Sequence, residues 1–312
     1  MASTPTRDRI NPQENSSDRK RLPPWLRVKF NNSQTFHEVD SLLQSQSLHT
    51  VCQEALCPNR AECWGDGTAT FLLLGDVCTR ACKFCDVKHG QPGALDWDEP
   101  ERIARSIQLM KLDHAVVTSV NRDERRDGGA PIFAMLIRRV WELQPNCSVE
   151  VLIPDFKGSL EALKIVMDAQ PDILNHNLET VQSLFKTIQP QSSYQASRDT
   201  LVNAKLLQPD ALTKSGLMIG LGETLAEIKE TMVEIRSWAV DILTIGQYLQ
   251  PSKQHLPVAS YYTPEEFEDL KKYGLELGYK WVESAPLVRS SYHAADQARA
   301  LGSRFQPAYT AD

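Results

Sequence analysis

Runs of strand length and stretches of helix length alternate along most of this chain, and that alternation restricts its fold more than any other feature. Apolar runs recur at 69–74, 114–120, 148–153, 173–176, 214–219 and 242–249. Amphipathic stretches of helical period separate them, at 98–112, 130–143, 159–169, 178–187 with 195–208, and 224–238. A last helix is expected over 264–277 and a short strand over 280–284. A strand that is apolar on both faces needs cover on both faces, and a strand–helix–strand order joins neighbours in parallel. The pattern predicts a helix-covered parallel sheet with the βα unit repeated about six times. A barrel and an open doubly wound sheet both satisfy it. In either, function gathers at the C-terminal edge of the strands. Polar or glycine-bearing segments stand at that edge: Asn121-Arg122-Asp123, Pro154-Asp155, Asn177 and 220–223. Their recurrence at one kind of edge points to a shared cavity.

Residues 1–22, rich in Ser, Thr, Pro, Asn and Arg, are expected to be a weakly held tail. Order begins at Pro23-Pro24, and a helix over 35–47 sets Phe36, Val39, Leu42 and Leu43 on one side. With 34 Lys and Arg against 40 Asp and Glu, the net charge of -6 gives no reason to expect a nucleic-acid partner. No apolar run reaches membrane-spanning length, so no membrane association is expected. The N-terminus lacks the apolar segment of a secretory signal.

Six of the seven cysteines fall between Cys52 and Cys85, and the seventh is Cys147. An odd count in a long chain is not the mark of a disulfide scaffold. A reducing compartment and a metal role fit better. Cys78, Cys82 and Cys85 form C-x3-C-x2-C directly after the first strand of the βα repeat. Zinc and an iron–sulfur cluster both use soft thiolates. His89 is a rival fourth ligand; three ligands alone leave a metal position open, which suits chemistry. Buried core cysteines are disfavoured, because Thr79, Arg80 and Lys83 interrupt any apolar face. Cys52, Cys57 and Cys63 form C-x4-C-x5-C in what reads as a loop over 52–67. A second cluster, or a zinc site completed by a distant His, would account for them. Six ligands exceed what one centre accepts.

The second group, with Phe84 just before its last cysteine, resembles the signature of the radical S-adenosylmethionine (SAM) enzymes. The two groups in this order resemble the lipoyl synthase family. So do Cys57-Pro58-Asn59, Glu62-Cys63-Trp64, Thr70-Phe71, Gly75-Asp76, the block 117–123, and Asp127-Gly128-Gly129-Ala130. The blocks at 176–180, 214–223 and 244–251, and Arg289-Ser290-Ser291-Tyr292, complete a resemblance over roughly 35–298. It implies a partial (β/α)6 TIM-like barrel of the radical SAM type with N-terminal and C-terminal extensions. On that basis residues 23–67 carry the auxiliary-cluster cysteines, 68–284 form the barrel and 285–312 close the site.

The resemblance also implies an activity: insertion of two sulfur atoms, at C6 and C8, into an octanoyl chain on a lysine of a lipoyl carrier protein. The cofactors implied are two [4Fe–4S] clusters and SAM. Cys78, Cys82 and Cys85 would hold the cluster whose open iron binds SAM. Cys52, Cys57 and Cys63 would hold the auxiliary cluster that donates sulfur, with Ser291 as fourth ligand and Ser290 as its alternative. The partners implied are octanoylated carrier domains (2-oxoacid dehydrogenase E2 and glycine cleavage H protein), a ferredoxin or flavodoxin reductant and iron–sulfur assembly proteins. Oxygen-labile clusters and intracellular carriers imply the cytoplasm or an equivalent organelle.

Several residues carry two readings. Asn121, Arg122 and Asp123 suit SAM or the cluster, or a turn with a salt bridge. Gly128 and Gly129 suit close approach to the SAM amino group, or a helix start capped by Asp127. Asn177 and Glu179 suit ribose hydroxyls, although Glu179 in a first helical turn is favourable by itself. Arg289 suits cluster sulfide, substrate or a surface carboxylate. Gly216, Gly220 and Gly222 do not make a dinucleotide fingerprint and suit a wall beside adenine. His176 reads as a satisfied strand-end histidine, Cys147 as core filler, Trp64 and Phe84 as cluster shields, and 124–126 as a solvated loop. Lys214 has no assigned role.

Overall fold

The computed structural model of the protein describes residues 22–28 and 33–302. The tail expected over 1–22 lies outside the described residues except for Leu22, as does the closing segment beyond 302. Helix α1 (Gln34–Ser45) leads to β1 (His49–Thr50), α2 (Val51–Glu54), α3 (Arg60–Gly65) and β2 (Thr70–Leu73). Then come α4 (Glu99–Leu109), β3 (His114–Ser119), α5 (Ala130–Leu143), β4 (Ser148–Leu152), α6 (Leu160–Asp168) and β5 (Ile173–Asn175). Next are α7 (Gln182–Ile188), α8 (Tyr194–Leu207), β6 (Leu212–Ile219), α9 (Leu225–Ser237), β7 (Ile242–Gln247), α10 (Pro264–Glu276), β8 (Trp281–Ser284) and α11 (Ala294–Ala300).

The sheet runs β1 to β8 in chain order, and every pair from β2 onward is parallel. Among the described residues no pairing joins β8 back to the first strand, so the barrel is partial. Six helical crossings link seven parallel strands in unreversed chain order, as in a barrel and unlike a doubly wound sheet, which settles the choice left open by periodicity. The unexpected β1 adds an antiparallel edge, with His49 opposite Leu72. The helices form where their apolar faces repeat: α5 buries Ile132, Phe133, Leu136, Ile137 and Val140. Each such side chain is worth about 1.5–3 kcal/mol of burial. Capping boxes start α9 (Thr224 with Glu227) and α10 (Thr263 with Glu266), fixing where each helix begins.

Two expectations are corrected. Residues 52–67 are not simply a loop, since Cys52 lies on α2 and Cys63 on α3. These helices are too short to stand alone. Thr50 caps α2 by accepting a bond from the Gln53 N–H, and Trp64 anchors α3 against Phe36 with ring centroids 5.2 Å apart. Glu179 does not sit in a first helical turn either, because α7 begins at Gln182 and Glu179 precedes it with φ +73°.

Helix α11 was not expected. Its Ala298 packs against Ile173, Leu212 and Ile242, which lie at the starts of β5, β6 and β7. It therefore stoppers the barrel at the end opposite the polar loops. Above it runs a buried polar layer. Lys214 Nζ lies 3.0 Å from Glu150 Oε1, Asn175 donates to the same carboxylate at 2.8 Å, and His114 Nε2 lies 3.6 Å away. Lys214 thus has a structural partner inside the barrel.

Candidate functional site

A cavity of about 650 Å³ opens among the C-terminal strand ends, and both cysteine groups line it. Cys78, Cys82 and Cys85 lie on the loop between β2 and α4. That loop is tied outward: the Thr79 N–H donates to the Asn121 carbonyl (3.1 Å) and the Lys83 N–H to the Ile188 carbonyl (3.0 Å). Cys78 Sγ accepts from the Arg80 N–H at 3.4 Å and from the Asn121 N–H at 3.3 Å. Burial, then the charges of Cys85 and Cys78, push the Cys82 thiol up to about 12. Burial pushes Cys85 up to about 11. His89 does not join them; it is exposed, lies off the cavity and only bridges Cys78 through its backbone.

The first group converges in the same way. Burial, then Cys57, pushes Cys52 up to about 11; burial, then Cys52 and Cys57, pushes Cys63 up to about 12. The thiols of each trio feel one another's charge. Yet among the described residues no three His, Cys, Asp or Glu side chains close around a point that one metal ion would occupy. Three soft thiolates in each group, both groups lining one cavity, fit the donor set of an iron–sulfur cage with one cysteine per iron. Coordination would also reverse the raised thiol values, since metal binding releases the thiol proton.

The C-terminal segment divides the two adjacent serines. Ser291 Oγ accepts from Thr70 Oγ1 at 2.7 Å, and Thr70 neighbours Cys52 closely enough to act on its thiol. Ser290 Oγ instead accepts from Asn177 Nδ2 at 2.6 Å. Ser291 therefore lies on the side of the first cysteine group and Ser290 on the side of β5. Asn59 Nδ2 holds the Leu287 carbonyl at 2.7 Å, and Tyr292 Oη donates to Glu62 at 2.9 Å. These bonds bind the segment to the turn and helix that carry Cys57 and Cys63.

Between the trios stand Arg289 and Glu179. Arg289 feels Cys57 and Glu179, while Glu179 acts on Cys82 and Cys85. Burial pushes the Glu179 carboxyl up to about 7, opposed by its bond from Asn177 (3.1 Å) and by Arg289. Gly216 leaves room here; a Cβ would meet Asn177 Oδ1 at 2.6 Å and Thr244 Oγ1 at 2.7 Å. Gly220 and Gly222 lie off the cavity.

The structure does not bring every expected residue to this cavity. Asn121 lines it, but Arg122, Asp123 and Gly128 line a smaller cavity of about 380 Å³ that meets it at Asn121 and Pro154. Arg122 is taken up by Glu124 and by the carbonyls of Leu74 and Gly93. Gly129 lines neither cavity. At Gly128 (φ +54°) a Cβ would strike Phe156, and at Gly129 (φ +85°) it would strike Leu74. These glycines serve a turn and close packing at the start of α5. Gly129 itself is the N-cap, and Asp127 accepts its N–H.

Cys147 is fully buried, as expected of core filler. His176 is only half satisfied. Its Nδ1 meets the Ile153 carbonyl at 2.8 Å, while Nε2, in a residue that lines the cavity, is buried with no partner among the described residues. Sequence reasoning missed Thr70 and Arg80 as working residues. Their positions inside matched blocks were the available signal; their partners, far away in sequence, were not.

Comparison with known proteins follows the same lines. Residues 72–235 match the radical SAM superfamily, and residues 3–57 match the N-terminal domain of lipoyl synthase of the radical SAM family. Lipoyl synthase of Rubrobacter xylanophilus is 53% identical over 287 residues, covering 90% of this chain and 89% of that protein. Lipoyl synthase of Halalkalibacterium halodurans is 52% identical over 278 residues, covering 89% and 92%. Among solved structures, methylornithine synthase aligns with a TM-score of 0.54 at 12% identity, covering 80% of this chain and 76% of that one. Coproporphyrinogen III oxidase from Escherichia coli aligns at 0.51 and 10% identity, covering 73% and 57%. These two likenesses show the fold. No helix among the described residues is long and apolar enough to cross a membrane.

Proposed function

The chain belongs to the lipoyl synthase family of radical SAM enzymes, and from that premise we propose that it inserts sulfur at C6 and C8 of an octanoyl chain borne on a lysine of a lipoyl carrier domain. Cys78, Cys82 and Cys85 would hold one [4Fe–4S] cluster. Cys52, Cys57 and Cys63, with Ser291, would hold a second. When bound, the clusters and SAM supply hydrogen-atom abstraction and the sulfur itself. The observation that carries this reading is that both thiol trios line one cavity, with Arg289 and Glu179 between them.

What remains for the chain's own residues is placement and exclusion of water. The saturated carbons carry no acidic hydrogen, so a general base has nothing to act on. Val116, Leu152, Leu217 and Met218 give the cavity an apolar side suited to an alkyl chain. Asn121 directs its backbone N–H at Cys78 Sγ and so orients that sulfur. Asn177, whose Nδ2 is shared by Ser290 and Glu179, would turn its Oδ1 to the polar parts of SAM, and His176 Nε2 offers an acceptor lone pair. Arg289 offsets negative charge gathered between the trios.

We also propose that residues 23–67 serve the first trio, 68–284 the barrel and 285–312 its closure. The carriers would be lipoyl domains of 2-oxoacid dehydrogenases and the glycine cleavage H protein. A ferredoxin or flavodoxin would supply electrons, iron–sulfur assembly proteins would load the chain, and the cytoplasm would house it. The test is anaerobic. Purified protein should carry about eight irons, as two four-iron cages require. An octanoylated carrier peptide incubated with SAM and reductant should gain two sulfurs by mass. A single cage, or a peptide that gains none, would refute the proposal.

A further inference from the structure

We propose that Arg80 is a positioning residue whose side chain clamps the Cys78–Cys85 loop to the ends of β3 and β4 and so fixes where its three thiols converge. This inference rests on the reading of those cysteines as cluster ligands. The Arg80 side chain is 4% exposed, and its guanidinium engages all five N–H donors. Nε and Nη2 donate to the two Asp123 oxygens at 2.7 and 2.9 Å. Nη2 and Nη1 donate to the two Asp155 oxygens at 2.6 and 2.9 Å, and Nη1 also reaches Ser192 Oγ at 3.1 Å. Asp123 follows β3, Asp155 follows β4, and Ser192 immediately precedes the N-cap of α8. One side chain between two cysteines thus joins the loop to three separate parts of the barrel edge.

Charge alone does not explain the arrangement. Two carboxylates against one guanidinium leave a net negative charge, and burying such a cluster is a poor way to gain stability. What the pairing does supply is direction. A planar fork facing two carboxylates fixes position and orientation together. That orientation is passed on. The Arg80 backbone N–H points at Cys78 Sγ (3.4 Å), and the Asp123 N–H donates to Thr79 Oγ1 (3.0 Å), which in turn donates to the Asn121 carbonyl. Asn121 is itself a donor to Cys78 Sγ. Cys78 is thereby held from both sides by groups that the clamp aligns.

Lysine keeps the charge but presents three donors at one point, so it cannot span both carboxylates. Full-length wild type and Arg80→Lys are to be reconstituted anaerobically with iron and sulfide, then compared by iron content, electron paramagnetic resonance of the reduced protein with and without SAM, and midpoint potential. Arg80→Lys should lose roughly half its iron, from about eight to about four per chain. The lost signal should be the one that responds to SAM. The remaining cage and an unchanged circular dichroism spectrum serve as internal controls of folding. Asp155→Asn, which keeps the shape but loses one acceptor, should show the same loss to a smaller degree, and it decides alone should Arg80→Lys not fold. Wild-type iron content, SAM response and potential in the folded variants would overturn the clamp. Absence of iron from the wild type would instead overturn the cluster reading beneath it.

Discussion

At the scale of single residues, the site depends on groups that matter through what they hold. Thr70 is one. Its hydroxyl joins Ser291 to the cysteine side of the cavity, and it is nearly buried. Thr70→Val keeps the volume and removes the bond. It should cost about 0.5–1.5 kcal/mol, the usual net worth of one hydrogen bond. It should also lower iron loading by the first cysteine group, and Thr70→Ser should restore both. Urea titration and iron analysis read the two effects, and a Val variant equal to wild type in both would exclude the role. Glu179 gives a pH signature. Its folded value of about 7 lies above the ordinary 4.5, so between those values the folded state holds more proton than the unfolded. The associated stability is complete below pH 4.5 and is lost as pH rises to about 7. Glu179→Gln removes this loss. Urea midpoints of the apoproteins at pH 5, 6, 7 and 8 should show the variant gaining on wild type up to about pH 7 and then running parallel. Curves parallel throughout would refute the assignment.

At the scale of elements, the helices that bury a periodic face were legible. Helix α5 occupies the expected 130–143, because seven of its residues repeat on one buried side. The short elements were not legible. Helices α2, α3 and α11 have too few turns for a periodic signal, and strand β1 has two residues. Each exists because something distant receives it: Trp64 meets Phe36, and Ala298 meets three strand starts. The site shows the same split. Local spacing marked the six thiols, but not the bond that sorts Ser291 from Ser290, since Thr70 is 221 residues from its partner. The placement of residues 287–292 also depends on one distant glycine. At Gly246 on β7 a Cβ would run into the Val288 carbonyl oxygen, where backbone cannot yield cheaply. Gly246→Ala should therefore displace 287–292 while leaving the barrel helices intact. Turnover of octanoylated peptide should fall about a hundredfold, the usual result of an ångström-scale misplacement. Limited proteolysis should cut within 286–302 where the wild type resists, and wild-type turnover would show that the segment tolerates the shift.

At the scale of the whole molecule, a partial barrel must close its core without closing its sheet. An alternating pattern cannot say how, because barrel and open sheet share it; the answer lies in what fills the interior. Here the upper levels are left to the cavity, α11 blocks the lower end, and a charged layer lies between. Lys214 and Glu150 are both fully buried and belong to strands separated by β5, whose Asn175 bonds the same carboxylate. A pair bridging the barrel in this way fixes the relative position of β4 and β6, and with them the loops that carry Asp155 and Gly220. The energetic signature of such a pair is asymmetric. Removing one partner leaves an uncompensated buried charge, at about 3–5 kcal/mol, whereas removing both is close to neutral. Lys214→Met alone should therefore lower the unfolding free energy by that amount. Lys214→Met combined with Glu150→Gln should recover most of it, because the amide still pairs with Asn175. Denaturant titration of the two single variants and the double variant closes the thermodynamic cycle. If the double variant is as unstable as the sum of the singles, the pair is not coupled, and the layer would owe its place to packing alone.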